Sequence, residues 1–265
     1  MTGWLVHELR LFFVALQFLT RLPVPRWVGF QPDWLHACAR HFPAVGACVG
    51  AASAGVWVGA CALFPGPVAV VLSMLASVAL TGAFHEDGLA DTCDALGGAV
   101  SRDRALEIMK DSRIGTYGAV GLWMVLGLKA AVLMTLPPGL VPAVLVIGHT
   151  ASRTVAVALM RVLPYAGDLA QAKAKPLAHR VSRGDLVTAC AWTLAVGIAM
   201  ALGSPLGLDR LAAGLLAAAG AGVTCAAWWH GRLGGITGDT LGATQQIAEV
   251  SLLLAVLASL RWAAT

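Results

Sequence analysis

Apolar positions along this chain fall into long runs, broken by short polar connections. Phe42–Phe64, Val68–Phe84, Gly115–Leu136, Leu140–Met160, Leu186–Leu202, Leu211–Trp229 and Leu241–Leu260 are the runs of spanning character. A helix needs about 20 apolar residues to cross a hydrocarbon core of about 30 Å. The pattern therefore predicts seven spanning helices. The first stretch, "WLVHELRLFFVALQFLTRLPVP", reads differently. Leu5, Leu9, Phe12, Phe13, Leu16 and Leu19 recur at helical spacing, with Glu8 and Arg10 among them. The apolar run between Arg10 and Arg21 is short for a span. This helix is expected either to lie in the interface or to cross, and Pro23 and Pro25 end it.

The connections are of two kinds, and they alternate as successive crossings require. "FPGP", "LPPGL" and "GSPLG" are short and uncharged. Pro25–His41, His85–Ile114, Arg161–Asp185 and His230–Asp239 are longer. They carry Arg26, Arg40, Arg102, Arg104, Lys110, Arg113, Arg161, Lys173, Lys175, Arg180, Arg183 and Arg232. Positive residues gather on the cytoplasmic side, so the charged connections are expected to face the cytoplasm.

Composition agrees with this pattern. Of 265 residues, 58% are hydrophobic and only 12% charged, with a mean hydropathy of +0.77. Too little polar surface remains to cover a soluble core. The expected fold is all-α, a polytopic integral membrane helical bundle within one membrane-embedded domain over residues 1–265. No cleavable leader is expected in Met1–Thr20, where charge interrupts the apolar run. The cysteines are scattered, with no CxxC pair, which argues against a disulfide framework or a zinc site. Abundant Gly and Ala in the spans suit close helix packing in lipid.

Against this scarcity of charge, "FHEDGLADTCDALGG" stands out. Of 14 acids in the chain, Glu86, Asp87, Asp91, Asp94, Asp103, Glu107 and Asp111 lie within one short interval. Asp87, Asp91 and Asp94 share one narrow face of a helix. Like charges on one face repel, so they need a counter-charge or raised pKa values. A hard divalent cation is the economical answer. Mg²⁺ favours carboxylate oxygens and bridges to substrate phosphates, although the spacing equally suits Mn²⁺ or Ca²⁺.

Two further stretches carry polar chemistry. "MKDSRIGTYG" brings together Lys110, Asp111, Ser112 and Arg113, followed by glycines at a helix start, an arrangement suited to phosphate. "GGITGDTLGA" places Thr237, Asp239 and Thr240 at the start of the last helix, where Asp or Thr serves equally well as an N-cap. Inside the spans, His149, Ser152, Arg153 and Thr154 form a polar patch. Glu249 lies about three turns into the last helix. Ionisable groups in lipid mark functional sites or buried pairs: Glu249 could pair with a buried Arg such as Arg153, and Arg153 could equally bind an anionic group. His85, His149 and His230 lack the spacing of a zinc set.

These residues point to a membrane enzyme with a metal-dependent phosphate site facing the cytoplasm, suited to phosphoryl transfer. A transporter would instead spread its acids across several spans near the midplane.

"HEDGLADTCDALGG", "MKDSRIGTYG" and "GGITGDTLGA", with "FLTRLPVP" near the N-terminus, resemble the motif regions of the cobalamin synthase family, the adenosylcobinamide-GDP ribazoletransferases. The resemblance runs from Phe18 to about Val250. It implies an inner-membrane enzyme that joins adenosylcobinamide-GDP to α-ribazole, or its 5′-phosphate, and releases GMP. Mg²⁺ would be held by Asp87, Asp91 and Asp94, with Glu86 or Asp111 as further ligands. Asp91 or Asp94 would take the hydroxyl proton. Lys110 and Arg113 would steady the diphosphate, with His85, Ser112, Arg153, Thr237, Asp239 and Thr240 contacting substrate. Small molecules and the lipid bilayer are the expected partners, and nucleic acid is not. Homo-oligomerisation and association with other cobalamin-pathway enzymes stay open. "DGLA" also resembles the start of the CDP-alcohol phosphotransferase signature, but Asp91 stands where that family has Arg, and its second D-x3-D is missing. Ala95 stands where the synthases often have Gly.

Overall fold

The computed structural model describes residues 2–167 and 181–262. Lys173, Lys175 and Arg180 of the third charged connection lie outside the described residues. The helices are α1 (Thr2–Leu19), α2 (Trp34–Ala37), α3 (Phe42–Cys61), α4 (Gly66–Thr81), α5 (Phe84–Leu96), α6 (Arg102–Ile108), α7 (Thr116–Thr135), α8 (Val141–Val162), α9 (Arg183–Gly203), α10 (Gly207–Leu233) and α11 (Gly238–Trp262). Six helices are long and apolar enough to cross a membrane, and a bent pair makes a seventh crossing if counted as one span. The chain is a multi-pass helical membrane protein.

The bent pair departs from the sequence reading. The apolar run ending at Phe84 does not continue straight into the acidic stretch: α4 stops at Thr81, and α5 leaves it at 89°. Gly82 (φ 70°) and Ala83 (φ 60°) both take left-handed backbone, which terminates α4 and redirects the chain. The Arg21 guanidinium lies against Gly82, where a Cβ would make that flexible side chain move.

The spans meet in a consistent way at their two ends. At one end, Gly139 faces Pro205 across the short connections. At the other, the starts of α3, α7, α9 and α11 meet the ends of α4, α8 and α10. There Arg21 N–H donates to Leu80 O at 2.8 Å, and Phe18 packs on Phe42 and Phe84. The charged connections lie at this second end. α1 touches only this end: Glu8 reaches Arg40 and His41, Phe12 reaches His41, and Phe18 reaches Phe42. A crossing helix would meet both ends of its neighbours. α1 therefore lies across the end of the bundle, which settles its two alternatives in favour of the in-plane one.

α8 and α11 are the inner helices, with 72% and 67% of their apolar windows buried; α7 and α9, at 22% each, turn mostly outward. α3 packs against α8 through Gly46 and Gly50. A Cβ at Gly50 would lie 2.6 Å from Leu145 O, so only glycine allows this approach.

Candidate active site

α5 carries the acidic face across the charged end of the bundle. Asp87 is exposed, and Asp91 and Asp94 are half-buried. Gly88, Leu89, Thr92, Ala95 and Leu96 are buried, so the apolar residues between the acids seat the helix. The helix could not sit this low with a larger residue at Gly88, where a Cβ would meet Asp239 O at 2.8 Å. From the other side, a Cβ at Gly242 would meet His85 O at 3.2 Å. The starts of α5 and α11 thus cross backbone to backbone, bringing Asp239 beside the acidic helix.

Asp94 has a defined task. Its Oδ2 accepts from Gly115 N–H at 2.7 Å and its Oδ1 from Gly118 N–H at 2.8 Å. The carboxylate occupies the positive start of α7, where unsatisfied N–H groups and the helix dipole favour an anion. A Cβ at Gly118 would come within 2.9 Å of Ala90 O, so the glycines of "IGTYG" allow α7 this close to α5. The sequence reading assigned these glycines to phosphate; here they receive a carboxylate of the chain itself.

Glu86 points away from the Asp face. Its Oε1 accepts from Gln246 Nε2 at 3.0 Å, and its Oε2 is buried with no hydrogen-bond partner among the described residues. Asp111 lies beyond the acidic helix, on the α6–α7 connection, paired with Arg113 at 2.6 Å. The Arg113 guanidinium holds the Asp111 carboxyl down at about 2. Lys110, Ser112 and Arg113 are exposed on the same connection. Among the described residues, no three His, Cys, Asp or Glu side chains are gathered so that they alone could hold a metal ion.

Thr237 and Thr240 form the cap of α11. Thr240 N–H donates to Thr237 Oγ1 at 3.2 Å, and Thr237 N–H donates to Thr240 Oγ1 at 2.8 Å. This is the reciprocal arrangement of a capping box, with a threonine in the third position. The cap is Thr237, and Asp239 lies one residue into the helix. Burial and the nearby Asp239 carboxylate push the Tyr165 phenol up. Ile236 N–H donates to Pro164 O and Ala166 N–H to Ile236 O, fastening the end of α8 to the start of α11.

Beneath α5, His85 and Arg153 are buried and line one small cavity with Gln245. Its volume is ≈ 30 Å³, room for little more than a water molecule. Arg153 does not pair with Glu249. Its Nη1 donates to His149 O at 2.9 Å. Glu249 is instead met by Lys129 of α7 at 2.5 Å, by His149 at 3.4 Å and by Gln245 Nε2 at 2.7 Å. His230 is exposed at the end of α10, apart from buried His85 and His149.

Two residues of consequence escape a reading by motif. Lys129 is one; its signal was a lone cation inside an apolar run. Arg102 is the other, and it resembled an ordinary positive anchor. Its Nε donates to Leu233 O at 2.8 Å and its Nη2 to Ala166 O at 2.9 Å, joining α6 to the ends of α10 and α8.

Fold and site together define a multi-pass helical membrane protein with an acid-bearing helix laid across one end of its bundle. The chain belongs to the cobalamin-5-phosphate synthase family, whose model matches residues 11–257. It stands thereby among the enzymes of cobalamin biosynthesis. A protein of Leptothrix cholodnii called adenosylcobinamide-GDP ribazoletransferase is 56% identical over 259 residues, covering 96% of this chain and 97% of its own length. Proteins with that name from a Polaromonas species and from Shewanella piezotolerans are each 42% identical, with 95% of this chain covered and 97% and 96% of their own lengths. No solved structure matches the chain.

Proposed function

We propose that this enzyme transfers the adenosylcobinamide phosphoryl group from adenosylcobinamide-GDP to a ribose hydroxyl of α-ribazole or its 5′-phosphate, releasing GMP. The observation that carries the reading is the acidic face of α5, set beside Lys110, Ser112 and Arg113 in a chain of this family. The charged connections gather at the same end, which by the positive-inside rule supports a site facing the cytoplasm; the bacterial inner membrane is the proposed location.

The donors suit Mg²⁺. Asp87 and Asp91 offer hard carboxylate oxygens one turn apart. Mg²⁺ is ordinarily held by one or two carboxylates together with substrate phosphates and water, so a cage built wholly from protein is not required. Asp87 and Asp91 would hold the ion. When bound, it would neutralise phosphate oxygens as charge develops.

The chain's own groups do the remainder. The hydroxyl oxygen of α-ribazole attacks the phosphorus next to cobinamide. The bond from that phosphorus to the bridging oxygen breaks, and GMP leaves with that oxygen. The hydroxyl proton passes to Asp91 Oδ. Both oxygens of Asp94 already accept backbone N–H groups of the α7 start, which ties that carboxylate to the fold. Lys110 and Arg113, on an exposed connection, steady the diphosphate, and Asp239 approaches from the start of α11. His85, on the buried side of α5, and Arg153 of α8 lie beneath the acidic face.

Purified protein in lipid, supplied with adenosylcobinamide-GDP, α-ribazole and Mg²⁺, should release GMP in step with transfer. Asp91→Asn should slow that release by about 10²–10⁴-fold, the usual contribution of a proton-transfer group, and leave the melting temperature unchanged. No release of GMP, alongside a solute uptake altered by Asp87→Ala, would replace the enzyme reading with a transporter.

A further inference from the structure

A second site lies away from α5, between the in-plane helix α1 and the first turns of α9. It is an open cleft of ≈ 520 Å³ walled by Trp4 and Trp192, with Glu8, Arg40 and His41 at its base. That volume falls in the range of small-molecule sites.

Its charge can be worked out group by group. Arg40 bridges Glu8 at 3.0 Å and Asp185 at 2.6 Å. His41 Nδ1 lies 3.3 Å from Trp192 Nε1. An indole nitrogen only donates, so Nδ1 must accept. His41 is therefore the neutral tautomer, and its Nε2–H donates to Glu8 Oε2 at 2.9 Å. Glu8 is the one carboxylate in the lining; Asp185, buried behind Arg40 and outside the lining, shares that guanidinium, so the three groups together carry one net negative charge. Arg10 adds nothing here. It lies over the Trp34 ring, on the side of α1 opposite Glu8.

The cleft thus combines aromatic walls with a net negative floor, a combination that takes a cation. Arg40 and His41 of its base belong to the charged end of the bundle, just before α3. α1 runs in the interface, and Val187 and Leu194 beside the cleft are exposed apolar residues of a span. Trp at this level is typical of the boundary between headgroup and hydrocarbon. We propose that this cleft binds the ammonium headgroup of a membrane phospholipid, phosphatidylethanolamine in chemical class, with the ammonium between Trp4 and Trp192 and directed at Glu8. Seated there, the lipid would tie α1 to α9, away from the acidic face.

The full-length protein, stripped of lipid in detergent, can be titrated with phosphatidylethanolamine and with phosphatidylglycerol of the same acyl chains, followed by native mass spectrometry. One phosphatidylethanolamine per chain should bind at least about tenfold tighter than phosphatidylglycerol, consistent with a desolvated cation–π contact and one carboxylate. Trp192→Ala should abolish that preference. If Trp192→Ala does not fold, the exposed Trp4→Ala supplies the same test and should lower the preference several-fold. Equal or tighter binding of phosphatidylglycerol would make this an anion site at Arg40 and overturn the proposal. So would undiminished phosphatidylethanolamine preference in a folded Trp4→Ala protein.

Discussion

Charge at the centre of the bundle and charge at its polar end are held in opposite ways. At the centre, Glu249 meets Lys129, His149 and Gln245 within a few ångströms, and all four are buried. In lipid an unanswered charge is costly, and both Glu249 oxygens are answered here, Oε1 by Lys129 and Oε2 by His149 and Gln245. At the end, the Asp87, Asp91 and Asp94 face repels itself and is open to water at Asp87. Asp94 serves the fold, at the start of α7. The difference separates two kinds of conspicuous charge. One holds helices together. The other is left where an outside cation and phosphate can reach it.

That comparison can be broken most sharply at its buried side. Lys129→Met should strand the Glu249 carboxylate and cost about 3–5 kcal/mol, read as a large fall in thermal stability in detergent. Adding Glu249→Gln should recover most of the loss. A silent Lys129→Met would mean that Lys129 does not answer Glu249. Next in size is Gly88→Ala, whose new Cβ would meet Asp239 O at 2.8 Å. Overpacking of this kind costs about 1–3 kcal/mol. Because it lifts α5 from α11, GMP release should fall further than stability does. Thr237→Ala removes the cap of α11 and should cost about 1 kcal/mol, measured by denaturation, with a smaller effect on turnover.

The smallest effect concerns the exposed Asp111–Arg113 pair. The Asp111 carboxyl is depressed in the folded protein to about 2. Its contribution is present above the ordinary carboxylate range and is lost only as pH falls through the folded value. Arg113→Ala should return the carboxyl to its ordinary range, seen by infrared or NMR titration, with stability at neutral pH little changed.

Much of the fold was legible in the chain. The apolar runs correspond to α3, α4, α7, α8, α9, α10 and α11, because a bilayer imposes both length and composition on whatever crosses it. The sharp turn at Gly82 and Ala83 was not. Nothing in the local pattern distinguishes a helix that continues from one that bends by 89°; Arg21 over Gly82 and the seating of α5 on α11 decide it. The acids on one face of α5 follow from spacing alone. Their separate tasks do not, because Asp94 and Asp91 look alike until α7 places its N–H groups on one of them. Along the chain Asp239 and Thr240 read as a cap of α11; the reciprocal bonds between Thr237 and Thr240 put the cap at Thr237 instead.

The sequence by itself determined a membrane bundle, its helical segments and the concentration of carboxylate at one end, because lipid penalises charge everywhere else. The tertiary structure decided which carboxylate answers which donor, that Glu249 pairs with Lys129 of α7 where Arg153 was a candidate, and that α1 lies across the bundle. Such pairings depend on which helices become neighbours, and a periodicity read along one helix carries no record of the next.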